Sequence, residues 1–405
     1  MPHPSTFPFS DLSFTVRSPY GGPEEVITLD QKLVSDAFQY DLAGGNAQLI
    51  DWFLELQNRV HGLSEGHDWS CCVGNGSQDL IFKAFQVFTD PGDAVMVESP
   101  SYAGVVGFLG AENHELIEIP TDSYGIIPAE LERILSSWVP GRPRPKVLYT
   151  TPTGSNPTGA TCPESRKIEI LRLAHRFDFV IFEDDAYYYL NYDLDPPSLA
   201  RSYLGLEVEV TGTSGRVVRF DSLSKVVSSG MRIGFLTGSR EVVQLVTRLT
   251  ENTNLQPCTT TQVLALALFR HWGHDGFLAH GQAVAALYRR RRDVFCAAAR
   301  RHLDALAIWH VPAAGMFVWM KLRLPRGLQD SFELMERGAL QNRVLALPGA
   351  AFFVDGAKTS HVRISFSLVA EEQMDEACAR LADLVRWAWK TTGEDEGTSD
   401  GSLIT

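Results

Sequence analysis

Residues 221–234 carry the strongest structural signal in the chain, because they join two short apolar runs, Arg216–Phe220 and Ile233–Thr237: Asp221-Ser-Leu-Ser-Lys225-Val-Val-Ser-Ser-Gly-Met-Arg232-Ile-Gly234. Lys225 follows the first run among small hydroxyl residues, which places it at the edge of a sheet. A lysine held deprotonated at such an edge can form a Schiff base. Arg232 lies between two glycines, where its guanidinium could reach a phosphate. Either residue alone is more typical of a protein surface, and it is the combination that favours a site.

Further apolar runs alternate with helical periodicity on both sides of this stretch, from about residue 70 to residue 240. The other predicted strands are Ala94–Glu98, Glu115–Ile119, Lys146–Thr150 and Phe179–Phe182. The predicted helices between them are Gln78–Phe88, Pro128–Leu135 and Glu164–Phe177. Several strands are apolar at almost every position, as expected of strands covered on both faces. The pattern predicts an α/β domain with a mostly parallel sheet.

The last third of the chain has mixed patterning. A long helix from about His280 to Arg301 precedes three apolar runs and a final helix, at Gly315–Leu322, Val344–Leu347, Val362–Phe366 and Glu371–Trp389. We predict a large domain over residues 45–290 and a smaller α+β domain formed by residues 1–44 and 291–390. Residues 391–405 are rich in Gly, Ser, Thr, Asp and Glu, which is typical of a disordered acidic tail.

Composition narrows the class of protein. The chain has 405 residues, 44% of them hydrophobic and 21% charged, as in soluble globular proteins. Its 36 Lys and Arg against 49 Asp and Glu give a net charge of −13, which argues against a nucleic-acid partner and an anionic membrane surface. Six cysteines without a C-x-x-C pair do not suggest a disulfide scaffold. With neither a bilayer-length apolar stretch nor a secretion signal in the first ten residues, we expect a cytoplasmic enzyme or ligand-binding protein.

Three loop motifs add candidate ligand contacts. Gly74-Asn-Gly-Ser77-Gln78 precedes an apolar helix whose N-terminus could bind an anion, although a tight strand-to-helix turn is the commoner reason for such glycines. Pro152-Thr-Gly-Ser-Asn156-Pro-Thr-Gly159 follows a buried strand, where α/β proteins bind ligands, and a purely structural turn stays open. Glu183-Asp184-Asp-Ala-Tyr187 follows another strand, and its acids require buried partners. We expect no metal here or at His271 and His274, because further ligands are missing.

Together these motifs resemble those of class I, fold-type I pyridoxal-phosphate aminotransferases. The finer match is to the α-aminoadipate/kynurenine and fungal aromatic aminotransferase branch, and it runs from about Thr6 to Trp389. It rests on Glu98-Ser-Pro-Ser-Tyr102, Glu183-Asp-Asp-Ala-Tyr-Tyr, Ser228-Ser-Gly-Met-Arg-Ile-Gly-Phe-Leu-Thr-Gly, His310-Val-Pro-Ala-Ala-Gly-Met-Phe and Leu347-Pro-Gly-Ala-Ala-Phe. The resemblance implies an α/β fold with a seven-stranded-type, mostly parallel sheet, a smaller α+β domain and pyridoxal 5′-phosphate as cofactor. It also implies an amino acid and a 2-oxo acid as substrates, and a homodimer with active sites at the subunit interface.

Carried over residue by residue, the resemblance assigns catalytic roles to Lys225, Asp184 and Tyr102. Lys225 would form the Schiff base with the cofactor and move the substrate proton, Asp184 would keep the pyridine ring protonated, and Tyr102 would stack on that ring. Arg363, in Val362-Arg-Ile-Ser-Phe-Ser, matches the arginine that grips the substrate α-carboxylate, beside Asn156. The other cofactor contacts that it implies are Ser77, Gln78, Asn156, Tyr187, Ser222, Ser224, Arg232 and, from the second subunit, Tyr40.

Two departures from the family pattern bear on activity. The match begins inside a region where relatives carry a glycine-rich stretch over the substrate. If the chain is natural as written, we expect part of that cover to be absent and closure to be impaired; a mis-called start codon is the other explanation. Tyr40-Asp-Leu-Ala-Gly-Gly-Asn replaces a more usual Tyr-Gly-x-x-x-Gly. The resemblance implies transfer of an amino group from an aromatic or α-aminoadipate-type amino acid to a 2-oxo acid, and we expect that acid to be 2-oxoglutarate. A β-lyase, decarboxylase or cyclase on the same cofactor, and a truncated inactive homologue, are the alternatives.

Overall fold

The computed structural model describes residues 3–17, 23–63, 68–193 and 199–394. Its helices are α1 (Gln31–Ala37), α2 (Ala47–His61), α3 (Ser77–Phe88), α4 (Ala103–Ala111), α5 (Pro128–Ser136), α6 (Glu164–Phe177), α7 (Tyr203–Thr211), α8 (Arg240–Thr253), α9 (Thr259–Leu303), α10 (Ser331–Asn342) and α11 (Glu371–Thr392). Its strands are β1 (Ser13–Val16), β2 (Glu25–Thr28), β3 (Trp69–Gly74), β4 (Ala94–Ser99), β5 (Glu115–Asp122), β6 (Gly125–Ile126), β7 (Val147–Thr150), β8 (Val180–Asp184), β9 (Val217–Ser222), β10 (Gly234–Ser239), β11 (Ala307–Trp309), β12 (Phe317–Leu322), β13 (Leu347–Pro348) and β14 (His361–Ser365).

The large sheet has eight strands in the order β3-β10-β9-β8-β7-β4-β5-β6. Strands β9, β8, β7, β4 and β5 are mutually parallel, whereas β10 is antiparallel to both of its neighbours. The predicted mostly parallel sheet is therefore confirmed, and the two-residue strand β6 adds an antiparallel edge to the seven strands expected. Parallel strands end at one edge, so the segments that follow β7, β8 and β9 lie side by side there.

Helices cover both faces of the large sheet. One face buries Phe85, Phe182 and Phe220 in a cluster that includes α3, α4 and α8. The other buries Met96 and Leu148 in a cluster that includes α5, α6 and α7. Each fully buried side chain of this size contributes about 1.5–3 kcal/mol, so the sheet is a firm platform for the loops at its edge.

Local signals set the helix ends near that edge. Asn46 caps α2 by accepting a hydrogen bond from the Leu49 N–H, which satisfies one otherwise unpaired donor. Helix α3 begins differently, since its cap residue Gly76 has φ 86° and provides no side-chain cap. The first N–H groups of α3 are therefore left for another acceptor.

A second, antiparallel sheet has the order β11-β12-β14-β13. It packs against α9, α10 and α11 through side chains such as Val318 and Leu384. Of the apolar run Val344–Leu347, only Leu347 pairs in the sheet, and Leu345 is 81% exposed. Along β14, Val362 is buried in this core while Arg363 is directed to the opposite face, as the two-residue period of a strand requires.

The two ends of the chain pack differently. Helix α1 joins α2 and α9 in one apolar cluster through Leu33 and Val34. Helix α11 continues to Thr392, two residues into the predicted acidic tail, and residues 395–405 of that tail lie outside the described residues. The division into domains at 45–290 and at 1–44 with 291–390 stays a prediction. Within the described ranges, no helix is both long and apolar enough to span a bilayer.

Candidate active site

Lys225 lies just after β9, at the sheet edge where the sequence places it, and is half-buried. Its Nζ lies 5.8 Å from the centre of the Tyr187 ring. Burial lowers the pKa of this amine, and the nearby Arg232 and Arg363 lower it further, while Asp184 acts in the opposite sense. A lowered pKa favours the neutral amine, which is the nucleophilic form.

Asp184 is the last residue of β8, and its carboxylate is buried. Tyr149 donates a hydrogen bond of 2.6 Å to Oδ2, whereas Oδ1 has no hydrogen-bond partner among the described residues. Burial raises the pKa of Asp184 to about 7, and the negative charges of Asp185, Asp221 and Glu98 contribute to the rise. A buried carboxylate with one free oxygen requires a cationic or N–H partner at that position.

Arg232 and the start of α3 form an anion-binding corner. Arg232 donates from Nη1 to Ser224 Oγ at 3.1 Å and from Nη2 to the Asn75 carbonyl at 3.3 Å. Gly76 allows this approach, because a Cβ there would lie 2.3 Å from Nη2. The uncapped N–H groups at Ser77, the helix dipole and the guanidinium suit a phosphate. Gln78 and Ser222 complete the predicted set; Ser222 Oγ accepts from the Ser224 N–H at 3.2 Å.

Arg363 connects the small sheet to the loop after β7. Its Nη1 donates to Asn156 Oδ1 at 2.7 Å, and its Nε is buried without a hydrogen-bond partner in the described part of the chain. The guanidinium lies 4.2 Å from the centre of the Phe317 ring and 5.1 Å from that of Phe352. Two aromatic rings hold the side chain in place, and its free donor is available to a carboxylate.

The three predicted tyrosines lie in different settings. Tyr102 precedes α4 and is half-buried, and burial, followed by the charge of Asp184, raises its pKa. Tyr187 is buried against Phe317, with ring centres 6.0 Å apart. Tyr40 lies between α1 and α2 and is 56% exposed, so this single chain places its ring in solvent. These mutual pKa shifts show that five site residues lie close together at the edge of the large sheet: Tyr102, Tyr187, Asp184, Lys225 and Arg363.

Sequence reasoning missed two buried residues beneath this edge, Tyr149 and Arg219. Arg219 is fully buried and pairs with Asp185 at 3.0 Å, Asp221 at 2.9 Å and Glu183 at 3.3 Å. The expectation that the acids from Glu183 to Asp185 need buried partners is thus confirmed for Glu183 and Asp185, whose partner Arg219 lies on β9. The available signal was a polar side chain directly after two apolar strand residues, which occurs at Tyr149 in β7 and at Arg219 in β9.

The donor set can be tested against a single ligand. The free Oδ1 of Asp184 suits a protonated ring nitrogen, the corner formed by α3 and Arg232 suits a phosphate, and the Lys225 amine suits an aldehyde. Pyridoxal 5′-phosphate carries all three groups, so the residues present fit it. The fold and this site together define a fold-type I pyridoxal-phosphate enzyme.

Comparison with known proteins narrows that class. Residues 31–381 match the family described as aminotransferase class I and II, and the chain belongs to this family. It is a pyridoxal-phosphate-dependent aminotransferase, and solved structures of similar fold hold the amine form of the cofactor or its adduct with an amino acid. The resemblance drawn from the sequence motifs is confirmed.

Individual relatives cover nearly the whole chain. The Emericella nidulans protein named aminotransferase tdiD is 58% identical over 384 residues, which cover 95% of this chain and 87% of the relative. Mouse kynurenine/alpha-aminoadipate aminotransferase, named as mitochondrial, is 38% identical over 399 residues, covering 95% of this chain and 90% of its own. The crystal structure of the aromatic aminotransferase Aro9 from Candida albicans superposes with a TM-score of 0.87 at 27% identity, covering 97% of this chain and 91% of that one.

Proposed function

We propose that this chain transfers the amino group of an aromatic or α-aminoadipate-type amino acid to 2-oxoglutarate. The observation that carries the proposal is the convergence of Lys225, Asp184 and Arg363 at one sheet edge, where Asp184 and Arg363 both act on the pKa of Lys225. An amine that can exchange a proton and a guanidinium that can hold a carboxylate are the two groups needed to act on an amino acid.

Each of the other site residues has a role in this proposal. When bound, the cofactor supplies an aldehyde and a ring that withdraws electrons from the substrate Cα. Arg232, Ser224, Ser222 and the N-terminus of α3 would bind its phosphate, Asn156 and Tyr187 would bind its phenolic oxygen, and Tyr102 would cover its ring. Arg363 and Asn156 hold the substrate α-carboxylate, and Lys225 takes the proton from the substrate Cα. These assignments come from the resemblance and fit the contacts described above.

The donor class rests on the lining of the site and on the relatives. Phe317 and Phe352 flank the Arg363 guanidinium, so apolar ring surface lies beside the carboxylate-binding group, as an aromatic side chain prefers. The named relatives act on kynurenine, α-aminoadipate and aromatic amino acids. A chain of this family with such a lining is expected to favour aromatic over small donors.

A donor-by-acceptor screen tests this function. Purified protein with the cofactor is offered tyrosine, phenylalanine, kynurenine, α-aminoadipate, glutamate and alanine, each with 2-oxoglutarate or pyruvate, and both products are measured by mass spectrometry. We expect the aromatic or α-aminoadipate group to give the highest kcat/KM with 2-oxoglutarate. Turnover that is fastest with alanine, or products formed equally well without a 2-oxo acid, would contradict the proposal.

Replacing Arg363 tests the carboxylate site. Arg363→Lys keeps the positive charge but loses the planar fork, so we expect KM for both donor and 2-oxo acid to rise about 10- to 100-fold. A smaller change is expected in kcat, because the lost interaction binds the substrate before and during the reaction alike. Arg386→Lys, which alters an exposed arginine paired with Asp383, is the matched control. An unchanged KM in Arg363→Lys would remove this residue from the site.

We also propose a homodimer in which Tyr40 completes the phosphate site of the partner subunit. Its ring is exposed in the single chain. Leu42, two residues on, is 64% exposed, and Leu255, next to the Gln256 that accepts a hydrogen bond from the Asp41 N–H, is 61% exposed. Sedimentation is expected to give a dimer, and Tyr40→Phe should weaken cofactor binding about tenfold through loss of one hydrogen bond to a charged group. Tyr124→Phe, at a tyrosine 59% exposed, should leave it unchanged. A monomer with full cofactor affinity would refute this arrangement.

The cytoplasmic location stays a prediction from composition. The mouse relative is named as mitochondrial, so the family itself does not fix the compartment. Fractionation of cells that express the tagged full chain distinguishes the two.

A further inference from the structure

Tyr149 is buried in the middle of the large sheet, on β7 next to β8. Its hydroxyl donates to Asp184 Oδ2 at 2.6 Å, so it occupies one of the two carboxylate oxygens and leaves Oδ1 free. Burial, and after it the charge of Asp184, raises the pKa of Tyr149 well above its usual value. The phenol therefore stays protonated at neutral pH and donates this hydrogen bond to Asp184.

The surroundings of Asp184 favour its protonation. Asp185 just after β8, Asp221 on β9 and Glu98 on β4 act on it with like charge, and Lys225 is a cation that couples to it from the loop after β9. Tyr102 and Tyr187 also couple to it, and both pKa values are raised. Arg219, which would otherwise offset the acids, is already shared among Asp185, Asp221 and Glu183. The hydrogen bond from Tyr149 is the strongest influence in the opposite direction.

We infer that Tyr149 is a positioning residue that keeps Asp184 ionised and its Oδ1 directed at the cofactor ring nitrogen. A carboxylate and a ring nitrogen compete for one proton, and the better base takes it. A hydrogen bond donated to the carboxylate makes it the weaker base, so the proton stays on the ring nitrogen. Without that donor, Asp184 becomes the stronger base, and the proton moves to the carboxylate and leaves a neutral ring.

The structure supplies a matched pair of variants. Tyr149→Phe deletes the hydroxyl bonded to Asp184. Tyr189→Phe deletes a hydroxyl that is also buried but has no hydrogen-bond partner among the described residues, and Tyr189 packs against Phe277 away from Asp184. Comparison of the two separates loss of the donor from loss of a buried oxygen, and their melting temperatures report any difference in folding.

The inference rests on the proposed roles of Asp184 and the cofactor, so the readout must distinguish failure of the inference from failure of the proposed function. Each protein is loaded with cofactor labelled with ¹⁵N at the ring nitrogen, whose chemical shift reports protonation directly. We expect a protonated nitrogen in the wild type and in Tyr189→Phe, and a shift towards the unprotonated value in Tyr149→Phe. We also expect kcat of Tyr149→Phe to fall about tenfold or more at nearly constant KM, as for loss of one hydrogen bond to a charged group.

Every outcome bears on the inference. An identical ¹⁵N shift in Tyr149→Phe and Tyr189→Phe would overturn it while leaving the proposed function intact. A wild type that binds no cofactor, or binds it with an unprotonated ring, would overturn the proposed role of Asp184 first. If Tyr149→Phe does not fold, 3-fluorotyrosine at position 149 provides the second variant. Its more acidic phenol is a stronger donor, so the ring nitrogen should stay protonated to a higher pH than in the wild type, and an unchanged midpoint of the shift against pH would again overturn the inference.

Discussion

Lys225→Ala is expected to abolish turnover, with kcat reduced by about 10³-fold or more. The variant loses both the amine that bonds to the cofactor and the group that moves the substrate proton, and positioned general acid–base catalysis alone is worth about 10²–10⁴-fold. The absorption band of lysine-bound cofactor should disappear, although the phosphate corner at Arg232 is unchanged. Steady-state kinetics with the best donor and an absorption spectrum of the loaded variant measure both effects.

The control for this variant is another lysine. Lys358 is exposed on the small-sheet side of the molecule, between Phe353 and His361, and Lys358→Ala should retain normal kcat and the normal spectrum. Turnover of Lys225→Ala within about tenfold of the wild type would show that another group carries the proton, since a lost catalytic base costs more than this. The central assignment would then be wrong.

Asp184→Asn is expected to retain the cofactor but to lower kcat by about 10²- to 10³-fold, in the range of a lost electrostatic contact to developing charge. Asparagine has the shape of aspartate, and its amide oxygen can still accept the hydrogen bond from Tyr149. Its neutral amide cannot hold a proton on the ring nitrogen, so the ring withdraws electrons less strongly. Cofactor content by absorbance and kcat with a fixed donor separate binding from turnover.

An exposed aspartate provides the control for this second variant. Asp383 pairs with Arg386 on α11, and Asp383→Asn should behave as the wild type, because exposed ion pairs contribute little. Normal rates in Asp184→Asn would remove Asp184 from the mechanism. Complete loss of cofactor from Asp184→Asn would instead assign it a binding role alone.

The sequence predicted well the central strands of the large sheet and the motif residues that lie at their carboxyl ends. Strands β4, β7 and β8 each begin with apolar residues, and their polar motif residues lie at or just after the carboxyl ends, where parallel strands end together. Arg363 was predicted as a substrate contact from the motif that begins at Val362, most of which lies in β14. Its hydrogen bond to Asn156 joins residues 207 positions apart, and no local pattern specifies such a pair.

The buried polar residues beneath the site could not be predicted in the same way. Tyr149 and Arg219 each follow two apolar strand residues, and a polar residue in a strand does not identify its partner in a neighbouring strand. The extent of β13 could not be predicted either, because Val344–Leu347 is apolar yet lies at the edge of the small sheet, where pairing is limited to two residues. In both cases the deciding contacts are tertiary, and periodicity reports only burial.

The net charge of −13 does not prevent binding of an anionic cofactor and anionic substrates. The two arginines of the site lie at its two ends, Arg232 beside the N-terminus of α3 and Arg363 beside Asn156. Two of the acids beneath the site, Asp185 and Asp221, are paired internally with Arg219. Local potential at the site is thus set by these groups and not by the overall charge.

A half-reaction with ¹⁵N-labelled donor tests the central claim most directly. The cofactor-loaded chain is mixed with labelled tyrosine, kynurenine or α-aminoadipate without any 2-oxo acid, the products are counted per active site, and 2-oxoglutarate is then added. We predict one equivalent of the donor's 2-oxo acid per active site, label retained on the protein, and release of that label as ¹⁵N-glutamate on addition of 2-oxoglutarate. Release of labelled ammonia or of CO₂ before 2-oxoglutarate is added, or no reaction with any of the three donors, would contradict the account.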